Sequence, residues 1–241
     1  MKVEQRKKLD RLNDDGRQKT RYMEITLATW NVQTMLKPGR MKEIMEEISK
    51  ARVDVVAVQK IRWQGWGRID KNDFSLFYSG PKERTGCYGT GFIINAKMRK
   101  SFLSSEPLSD RLCKLRLQRI FRNITLISTY APTKDSRRNK RWVLWSSKSR
   151  MWKACKYDIP ILLEDFNAKI GRENFVATEA GKYTLHEATS ENGKRLGQLA
   201  ARYNMIIKST YFERKQIHNG TWMCPGTNMV SQIDHWPRSY K

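Results

Sequence analysis

The chain has 241 residues, which is enough for one large α/β domain with a substantial core. It carries 47 Lys and Arg residues against 24 Asp and Glu residues, and the formal net charge of +23 predicts a polyanionic partner, DNA or another nucleic acid before an acidic membrane surface. A hydrophobic content of 39% with eight Trp argues against wholesale disorder, and the four cysteines exclude a close-paired zinc or redox motif because no two of them lie near each other.

The first part of the chain differs in composition from the rest. Residues 1–22 are polar and highly charged, with little apolar periodicity, and predict a flexible basic arm. They lack the apolar segment of a signal peptide, and no later apolar run approaches the ~20 residues that span a bilayer. We therefore expect an intracellular chain, with the nucleus as one candidate location, and a single domain over residues 23–241.

A strand–helix–strand unit opens the predicted domain. Residues 24–32 and 53–58 have the composition of buried strands. Between them, Pro38-Gly39 precedes a helix whose apolar residues recur at i, i+3, i+4 and i+7, namely Met41, Ile44, Met45 and Ile48. Such a unit predicts parallel pairing of its two strands through a right-handed crossover.

The middle of the chain predicts antiparallel strands over 74–78, 88–95, 113–118 and 123–129, because few helix signals intervene. Later in the chain we expect a helix over about 192–204, a strand over 205–211 and short strands over 220–222 and 230–235.

Residues 134–156 are the most basic block of the sequence. Interleaved Trp and basic residues suit stacking on single-stranded nucleic acid, but an amphipathic helix with its Trp residues in the core fits the same pattern. In either case the charges can attract DNA. The candidate nucleic-acid contacts are Arg137, Arg138, Lys140 and Arg141.

Residues 159–171 combine a short apolar run with polar residues at its end. The run ends in Asp165 and, two residues later, Asn167, so both side chains point the same way if the chain stays extended. Open α/β folds bind ligands at the carboxyl ends of their strands. An Asp there can take a proton from water and an Asn can hydrogen-bond a phosphate oxygen. A strand end followed by an Asx turn explains the same residues without function.

Polar residues follow several strands in a fixed order: Trp30-Asn31, Gln59-Lys60, Tyr130-Ala131-Pro132-Thr133, Asp165-Phe166-Asn167 and Ile233-Asp234-His235. In this order and spacing the chain resembles the endonuclease/exonuclease/phosphatase superfamily. It is most similar to the endonuclease domain of LINE-type retrotransposons of the RTE/BovB kind. The resemblance runs from about residue 22 to the C-terminus.

The resemblance implies a four-layer α/β sandwich of two packed mixed sheets flanked by helices. It also implies Mg²⁺-dependent cleavage of a DNA phosphodiester. Carried over by position, Asn31 supports the metal and phosphate, Tyr130 contacts the phosphate and Asp165 activates water. Asn167 steadies the oxyanion, and Asp234 orients the catalytic His.

The chain departs from this pattern where the family places its main metal ligand. That ligand is a Glu at the end of the second strand, and Lys60 stands there instead. An ammonium at about 4 Å repels a divalent cation by ~8 kcal/mol at an effective dielectric of about 20, before screening or side-chain movement. This figure predicts weak or absent Mg²⁺ binding.

Two further departures concern the catalytic Asp and the C-terminal segment. The family's Gly before that Asp is Glu164 here, which adds bulk and charge. The family also has a later Ser-Asp-His segment carrying the catalytic His, whereas this sequence ends at Lys241, so we expect closing C-terminal strands to be missing. His235 is expected to be structural, and His186 and His218 to be loop residues.

Three functions remain open from the sequence. The first is a retrotransposon-derived endonuclease-like domain with impaired catalysis. The second is an active Mg²⁺-dependent DNA endonuclease, and the third is a non-catalytic basic protein that binds nucleic acid. The oligomeric state is not indicated by any pattern in the sequence.

Overall fold

Two β-sheets pack face to face in the computed structural model, which describes residues 2–12, 18–83, 85–130, 157–173, 178–213, 215, 219–224, 226–235 and 237–239. In chain order, the first half contains the elements β1 (Lys2–Leu12), β2 (Gln18–Asn31), α1 (Arg40–Lys50), β3 (Val55–Gln59), β4 (Trp66–Asp70), β5 (Phe74–Ser79), β6 (Thr90–Asn95), β7 (Phe102–Ser109), β8 (Leu112–Leu117) and β9 (Ile124–Tyr130). The second half contains β10 (Ile159–Asp165), α2 (Glu191–Arg202), β11 (Met205–Ile207), β12 (Trp222–Met223), β13 (Val230–Ser231), β14 (Asp234–His235) and β15 (Pro237–Ser239). Short 3₁₀ turns cover Ala96–Ser101 and Lys208–Thr210.

The first sheet has the strand order β1-β2-β3-β6-β5-β4. Strands β2 and β3 are parallel, as the predicted crossover through α1 requires, and the other pairs are antiparallel. In the second sheet the order is β11-β15-β10-β9-β8-β7, with β14 also pairing with β10. Strands β9 and β10 pair in parallel. Both sheets are therefore mixed, as expected. A separate hairpin joins β12 and β13.

Alternation along the strands divides the buried apolar residues into layers. Residues such as Ile94 on β6 and Leu115 and Leu126 on β8 and β9 meet in one cluster between the sheets. Because side chains alternate along a strand, the intervening residues face outward. On the first sheet Val56 and Leu76 pack towards Ile44 of α1, and on the second sheet a similar cluster includes α2. The order helix, sheet, sheet, helix confirms the predicted α/β sandwich.

The apolar stripe of α1 lies where its spacing predicts. Ile44 is fully buried, and Met41, Met45 and Ile48 are partly buried against the outer face of the first sheet. In α2, which confirms the helix predicted over about 192–204, the buried residues include Leu196, Leu199 and Ala200. The predicted strand over 205–211 is shorter than expected, because β11 ends at Ile207 and a 3₁₀ turn follows.

The N-terminal segment differs from the expected flexible arm over residues 1–22. The backbone of Lys2–Leu12 forms β1, which pairs antiparallel with the first half of β2. A strand can pair through its backbone without alternating apolar residues, so nothing in the charged sequence of β1 predicted a strand. The domain limit at residue 23 remains a prediction. Among the residues that the structure describes, none belongs to a helix with the length and hydropathy to cross a membrane.

Truncating Leu126 tests the inter-sheet core. Leu126 is fully buried, so Leu126→Ala should lower the free energy of unfolding by about 2–5 kcal/mol through lost apolar contact and an unfilled cavity. The measurement is urea unfolding followed by tryptophan fluorescence. Leu103→Ala on edge strand β7, where the side chain is 41% exposed, is the matched control and should change stability by less than about 1 kcal/mol. Equal losses for the two variants would contradict the assigned layers.

Candidate active site at the shared strand edge

Three of the predicted site residues are neighbours at one end of the second sheet, where β9 and β10 end and β14 begins. We call this end of the two sheets the strand edge. The parallel pairing of β9 with β10 places Tyr130 opposite Asp165, and the antiparallel pairing of β14 with β10 places Asp234 opposite Asp165 on the other side. The backbones of Tyr130, Asp165 and Asp234 thus form one row across three strands. Tyr130 and Asp234 are half-buried. Strand register alone therefore brings together residues that are far apart in the sequence.

The first sheet also has a row of backbone-paired residues at the ends of its strands. Asn31 pairs with Gln59 across the parallel strands β2 and β3, and Gln59 pairs with Thr90 of β6. The Oδ1 atom of Asn31 accepts a hydrogen bond from the backbone N–H of Gln33 at 3.1 Å, so the strand ends in an Asx turn. The Val32 N–H donates to the Gln59 carbonyl at 3.1 Å, which continues the β2–β3 contact beyond the strand. Asn31 is thereby held at the strand edge.

A buried polar contact joins the two rows. Gln59 and Ser128 are both fully buried, and Gln59 Nε2 donates to Ser128 Oγ at 3.4 Å. The hydroxyl of Ser128 also lies 2.5 Å from Thr90 Oγ1. Gln59 Nε2 has a second contact of 3.0 Å with Thr29 Oγ1. Because buried polar groups need specific hydrogen-bond partners, these contacts fix the position of one sheet relative to the other.

Lys60 extends from the first row towards the second. It follows the last residue of β3, has a φ of 60°, and places its Nζ atom 5.1 Å from the ring centroid of Tyr130. An ammonium over an aromatic face is attracted by the ring quadrupole. The position at which the resemblance predicts a metal-ligating Glu therefore holds a cation beside Tyr130, the predicted phosphate-contacting residue.

The loop after β10 holds Asn167 through its backbone. Asn167 has a φ of 47°, and its carbonyl accepts a hydrogen bond from Asn192 Nδ2 at 3.3 Å. Asn192 lies in the first turn of α2, whose N-cap residue is Ser190. A Cβ atom on Gly193 would lie 2.1 Å from the Lys169 carbonyl oxygen, so the helix approaches this loop as closely as a glycine permits. The N-terminus of α2 therefore supports the Asn167 loop.

Beside Asn167 lies a cavity of about 320 Å³. The exposed Trp222 of the β12–β13 hairpin forms one wall, and the cavity is otherwise lined by Lys169, Ser190, Asn192, Ser231 and Ile233. The backbone N–H groups of Ile233 and Asp234 both donate to Thr221 Oγ1, at 3.0 and 3.2 Å. These two bonds tie the segment that carries Asp234 to the base of the hairpin.

His235 is structural, as the sequence predicted. It is fully buried, with Nε2 3.0 Å from the Ala168 carbonyl and Nδ1 2.8 Å from Ser209 Oγ. Since a carbonyl only accepts, Nε2 carries the proton and Nδ1 accepts from the serine. Burial lowers the pKa of His235 to about 4. The loop residue His186 accepts a hydrogen bond from the Gln232 N–H at 3.1 Å, and burial lowers its pKa as well.

Backbone strain is concentrated around this edge. Among the described residues, seven non-glycine residues have positive φ, and two of these, Arg52 and Asn204, follow the C-cap residues of α1 and α2. The other five lie in the segments that border the strand edge, namely Gln33, Lys60, Arg62, Tyr88 and Asn167. Such conformations persist when surrounding contacts enforce them, and they are frequent at functional sites.

Other predicted residues stand apart from this geometry. Arg137, Arg138, Lys140, Arg141 and His218 lie outside the described residues. The backbone of Glu164 pairs with His235, one step from the row that contains Asp165. Among the side chains that the structure describes, no three His, Cys, Asp or Glu residues form a group that could hold a metal ion.

Arg111 and Tyr88 also lie at this site, although no sequence pattern predicted them. The Arg111 guanidinium carbon lies 3.7 Å from the centroid of the Tyr88 ring and 5.1 Å from that of Tyr130. Arg111 lies in the turn between β7 and β8, and such turn residues are normally exposed, so no periodic signal marked it. Its 4% exposure could not be foreseen from the sequence.

Solved structures with the same fold define the class of protein. The endonuclease domain of TRAS1, a telomere-specific non-LTR retrotransposon, has a TM-score of 0.56 and 14% identity, covering 88% of this chain and 84% of its own. An AP endonuclease from Archaeoglobus fulgidus has a TM-score of 0.58 and 14% identity, covering 89% and 86%. An endonuclease/exonuclease/phosphatase family protein from Leptotrichia buccalis has a TM-score of 0.57 and 12% identity, covering 89% and 87%. The chain has the endonuclease/exonuclease/phosphatase fold.

The sequence relatives are more specific. Over 228 residues, 94% of the chain, it is 24% identical to craniofacial development protein 2 from Bos taurus and from Tragulus javanicus. The match spans 38% and 39% of the length of those relatives. No family model matches the chain. Together the comparisons confirm the predicted resemblance in fold and in sequence relatives, and the roles of the individual site residues stay predictions.

The buried His235 makes stability depend on pH. Because its pKa is lowered from 6.5 to about 4, the folded state favours neutral histidine, whose contribution is complete above pH 6.5 and is lost as the pH falls towards 4. From pH 7 to pH 5 this group alone should reduce the free energy of unfolding by about 2 kcal/mol. Denaturant unfolding at the two pH values measures the loss.

His235→Gln should be less stable at pH 7 but should show a smaller loss at pH 5. His186→Gln is the control that keeps His235, and it should retain most of the pH dependence. An unchanged pH dependence in His235→Gln would contradict the assignment.

Proposed function

We propose that the chain is a retrotransposon-derived, endonuclease-like domain that binds DNA and whose metal-dependent cleavage is impaired. The proposal combines three observations. The solved structures with this fold include endonucleases, the strand-edge rows contain the residues expected of a phosphodiesterase, and Lys60 stands where a carboxylate is expected. The proposal concerns this chain alone, which corresponds to about two fifths of its curated relatives.

DNA is the partner that best matches the charge of the chain. A formal net charge of +23 attracts a polyanion and raises the rate of encounter with it. Binding of this kind releases counterions and weakens as salt rises. The basic block over 134–156, which includes Arg137, Arg138, Lys140 and Arg141, adds a local excess of positive charge in the sequence.

Each predicted site residue at the edge has a distinct proposed role. Asp165 takes a proton from the attacking water, and Asn167 donates a hydrogen bond to a phosphate oxygen. Tyr130 contacts the phosphate from the neighbouring strand, and Asn31 supports it from the first sheet. Asp234, next to Asp165 in the register, orients a histidine in the family mechanism. These roles support kinship with nucleases and do not by themselves give turnover.

The observation that carries the impairment is the position of Lys60. In the family, Mg²⁺ neutralises charge on the phosphate and polarises its oxygens. Hard divalent cations bind oxygen ligands, and an ammonium supplies none. The Lys60 Nζ atom lies 5.1 Å from the ring centroid of Tyr130, the proposed phosphate-contacting residue. The ammonium at this position therefore does not fit a bound metal ion.

An active endonuclease is the second candidate function. It is favoured by the register that places Tyr130 and Asp234 on either side of Asp165, because a general base and its phosphate-binding neighbours are then adjacent. This arrangement keeps the water-activating part of the site. The two candidate functions differ in one respect. In the active endonuclease Asp165 supports cleavage although Lys60 disfavours the metal, and in the impaired domain it does not.

A plasmid-nicking assay separates the two functions. With Mg²⁺ or Mn²⁺ the wild-type protein should convert little supercoiled plasmid, because Lys60 repels the cation that the chemistry requires. The measurement is the rate of open-circle formation on a gel, with Asp165→Ala prepared in the same way. Nicking by the wild type that Asp165→Ala abolishes would overturn the impairment and establish an active endonuclease. Nicking that survives Asp165→Ala would reflect a contaminating nuclease.

Reversing the charge at Lys60 tests its effect on metal binding directly. Lys60→Glu should gain Mg²⁺ affinity, and the melting temperature of the variant should rise by about 3 °C when Mg²⁺ is in tenfold excess over the dissociation constant. The wild-type melting temperature should not respond to Mg²⁺. Lys97→Glu makes the same charge change just after β6, away from the strand edge, and should behave like the wild type. A Mg²⁺ response in the wild type would show that Lys60 does not exclude the metal.

A further inference from the structure

We infer that a groove beside α1 is a docking site for an amphipathic, acidic α-helix of a partner protein. The groove lies on the outer face of the first sheet, between α1 and the turn that joins β4 to β5, and has a volume of about 920 Å³. It is a second binding surface, separate from the strand edge, and it does not depend on the proposed DNA binding. Its length, its width, its apolar floor and its charged rim together define the occupant.

The groove is elongated. It follows α1 from Met41 through Met45 and Ile48 to Arg52, which comes just after the C-cap of the helix. At 1.5 Å per residue this run is about 16 Å long, or three helical turns. An occupant that contacts the whole run therefore needs a similar length, which suits a helix of a partner protein better than a compact small molecule.

The free sheet surface beside α1 has the width of one helix. Ile44 of α1 shares a buried cluster with Val56 and Val58 of β3, and from β3 the sheet continues through β6 and β5 to β4. Neighbouring strands are about 4.8 Å apart, so β5 lies roughly 10 Å from β3. Helices packed side by side have axes about 8–10 Å apart. Among the residues that the structure describes, α1 is the α-helix on this face, so one further helix fits beside it over β5.

The floor of the groove is apolar and incompletely covered. Its hydrophobic residues come from α1 and from the sheet, namely Met41, Met45, Ile48, Val53, Phe74 and Ile93. All of them except Ile93 are only partly buried. Methionine side chains are flexible and polarisable, so they adapt to an apolar partner. Amphipathic helices bind such grooves through apolar residues at i, i+3, i+4 and i+7.

The rim at one end of the groove is cationic. Arg52, Lys71 and Lys97 lie after α1, in the β4–β5 turn and in the 3₁₀ turn after β6. All three residues are exposed, and none of them forms an ion pair with another residue that the structure describes. Three cations from separate segments thus converge on this end of the groove.

Two of the three acidic residues that line the described part of the groove already have partners. Glu46 Oε1 lies 4.0 Å from Lys42 Nζ, and the Asp54 carboxylate accepts from the Thr26 N–H and from Asn95 Nδ2, each at 2.8 Å. Asp73 is the third. The rim therefore keeps an excess of positive charge, and complementary charge selects an acidic partner over a basic one.

The cationic end of the groove lies away from the strand edge. Asp54 comes just before β3 and Asn95 is the last residue of β6, whereas the strand edge has Gln59 at the other end of β3 and Thr90 at the other end of β6. An acidic segment bound at the rim therefore does not compete with DNA at the strand edge.

Peptide binding, followed by fluorescence anisotropy, tests the inference. The probe is a fluorescein-labelled synthetic peptide of about 18 residues, with Leu at i, i+3, i+4 and i+7 and with Glu and Ala elsewhere. A scrambled peptide of the same composition, whose Leu residues do not share one helical face, is its control. The wild-type protein should bind the first peptide at least about tenfold more tightly, because only a continuous apolar stripe covers the floor of the groove.

Two variants locate the bound peptide. Ser49→Trp places a bulky side chain at an exposed lining residue of α1 and should weaken binding at least about tenfold. Lys71→Glu/Lys97→Glu reverses two rim charges and should weaken binding about tenfold. Lys182→Glu/Lys194→Glu is the matched control, with the same net charge but two exposed residues outside the groove, and it should weaken binding less than about twofold. Melting temperatures identify a loss of fold, and if Ser49→Trp does not fold, the charge variants decide.

Several outcomes would overturn the inference. They are absence of peptide binding, equal affinity for the scrambled peptide, and equal losses in the two charge variants, which would show general attraction of acidic peptides to a basic protein. Dodecanoate or phosphatidylserine vesicles that bind in place of the peptide, and are blocked by Ser49→Trp, would assign the groove to a lipid. A dimer that Ser49→Trp dissociates would assign it to a second copy of this chain.

Duplex DNA binding separates this inference from the proposed function. The groove variant Lys71→Glu/Lys97→Glu and its control Lys182→Glu/Lys194→Glu should bind a labelled duplex equally, because their net charges are equal. A selective loss of DNA affinity in the groove variant would make DNA the occupant and overturn the helix. Failure of the wild type to bind DNA would contradict the proposed function and leave peptide binding in the groove as the measure of this inference.

Discussion

The contact of Gln59 with Ser128 is the constraint on which the strand edge depends. Two sheets that meet through apolar side chains can slide, because hydrophobic attraction has little directionality. A buried carboxamide and two buried hydroxyls can be satisfied at one relative position only. By fixing that position, Gln59, Thr90 and Ser128 hold the Asn31 row level with the Tyr130 row. The chemistry proposed for this edge presupposes that alignment.

The sequence predicted the interior strands and both described helices better than the strands at the borders of the sheets. Apolar runs marked β3 and β9, and the i, i+3, i+4 pattern marked α1, because buried faces require such patterns. The strands without a predicted counterpart include β1, β4 and β7, each of which lies at the end of a sheet. An edge strand has one strand partner and tolerates Gly, Pro and charge, as in β4 and β7, so its sequence resembles that of a loop.

For the candidate site, sequence order identified residues that strand register then brought together, but it could not identify Arg111. Four of these residues end or begin a strand, namely Asn31, Tyr130, Asp165 and Asp234. The pairing of the strands therefore determines which of them are neighbours. The position of Arg111 depends instead on the packing of a turn against the ring of Tyr88, a loop residue with a φ of 51°. Side-chain stacking between a turn and a strained loop residue has no period in the sequence.

Lys60 lies just beyond the last residue of β3, outside the β2–β3 and β3–β6 ladders and outside the buried apolar clusters. A replacement at this position therefore alters electrostatics without disturbing the architecture. The strand ladders place no demand on the charge carried at this position, so a change of one codon there leaves the scaffold intact.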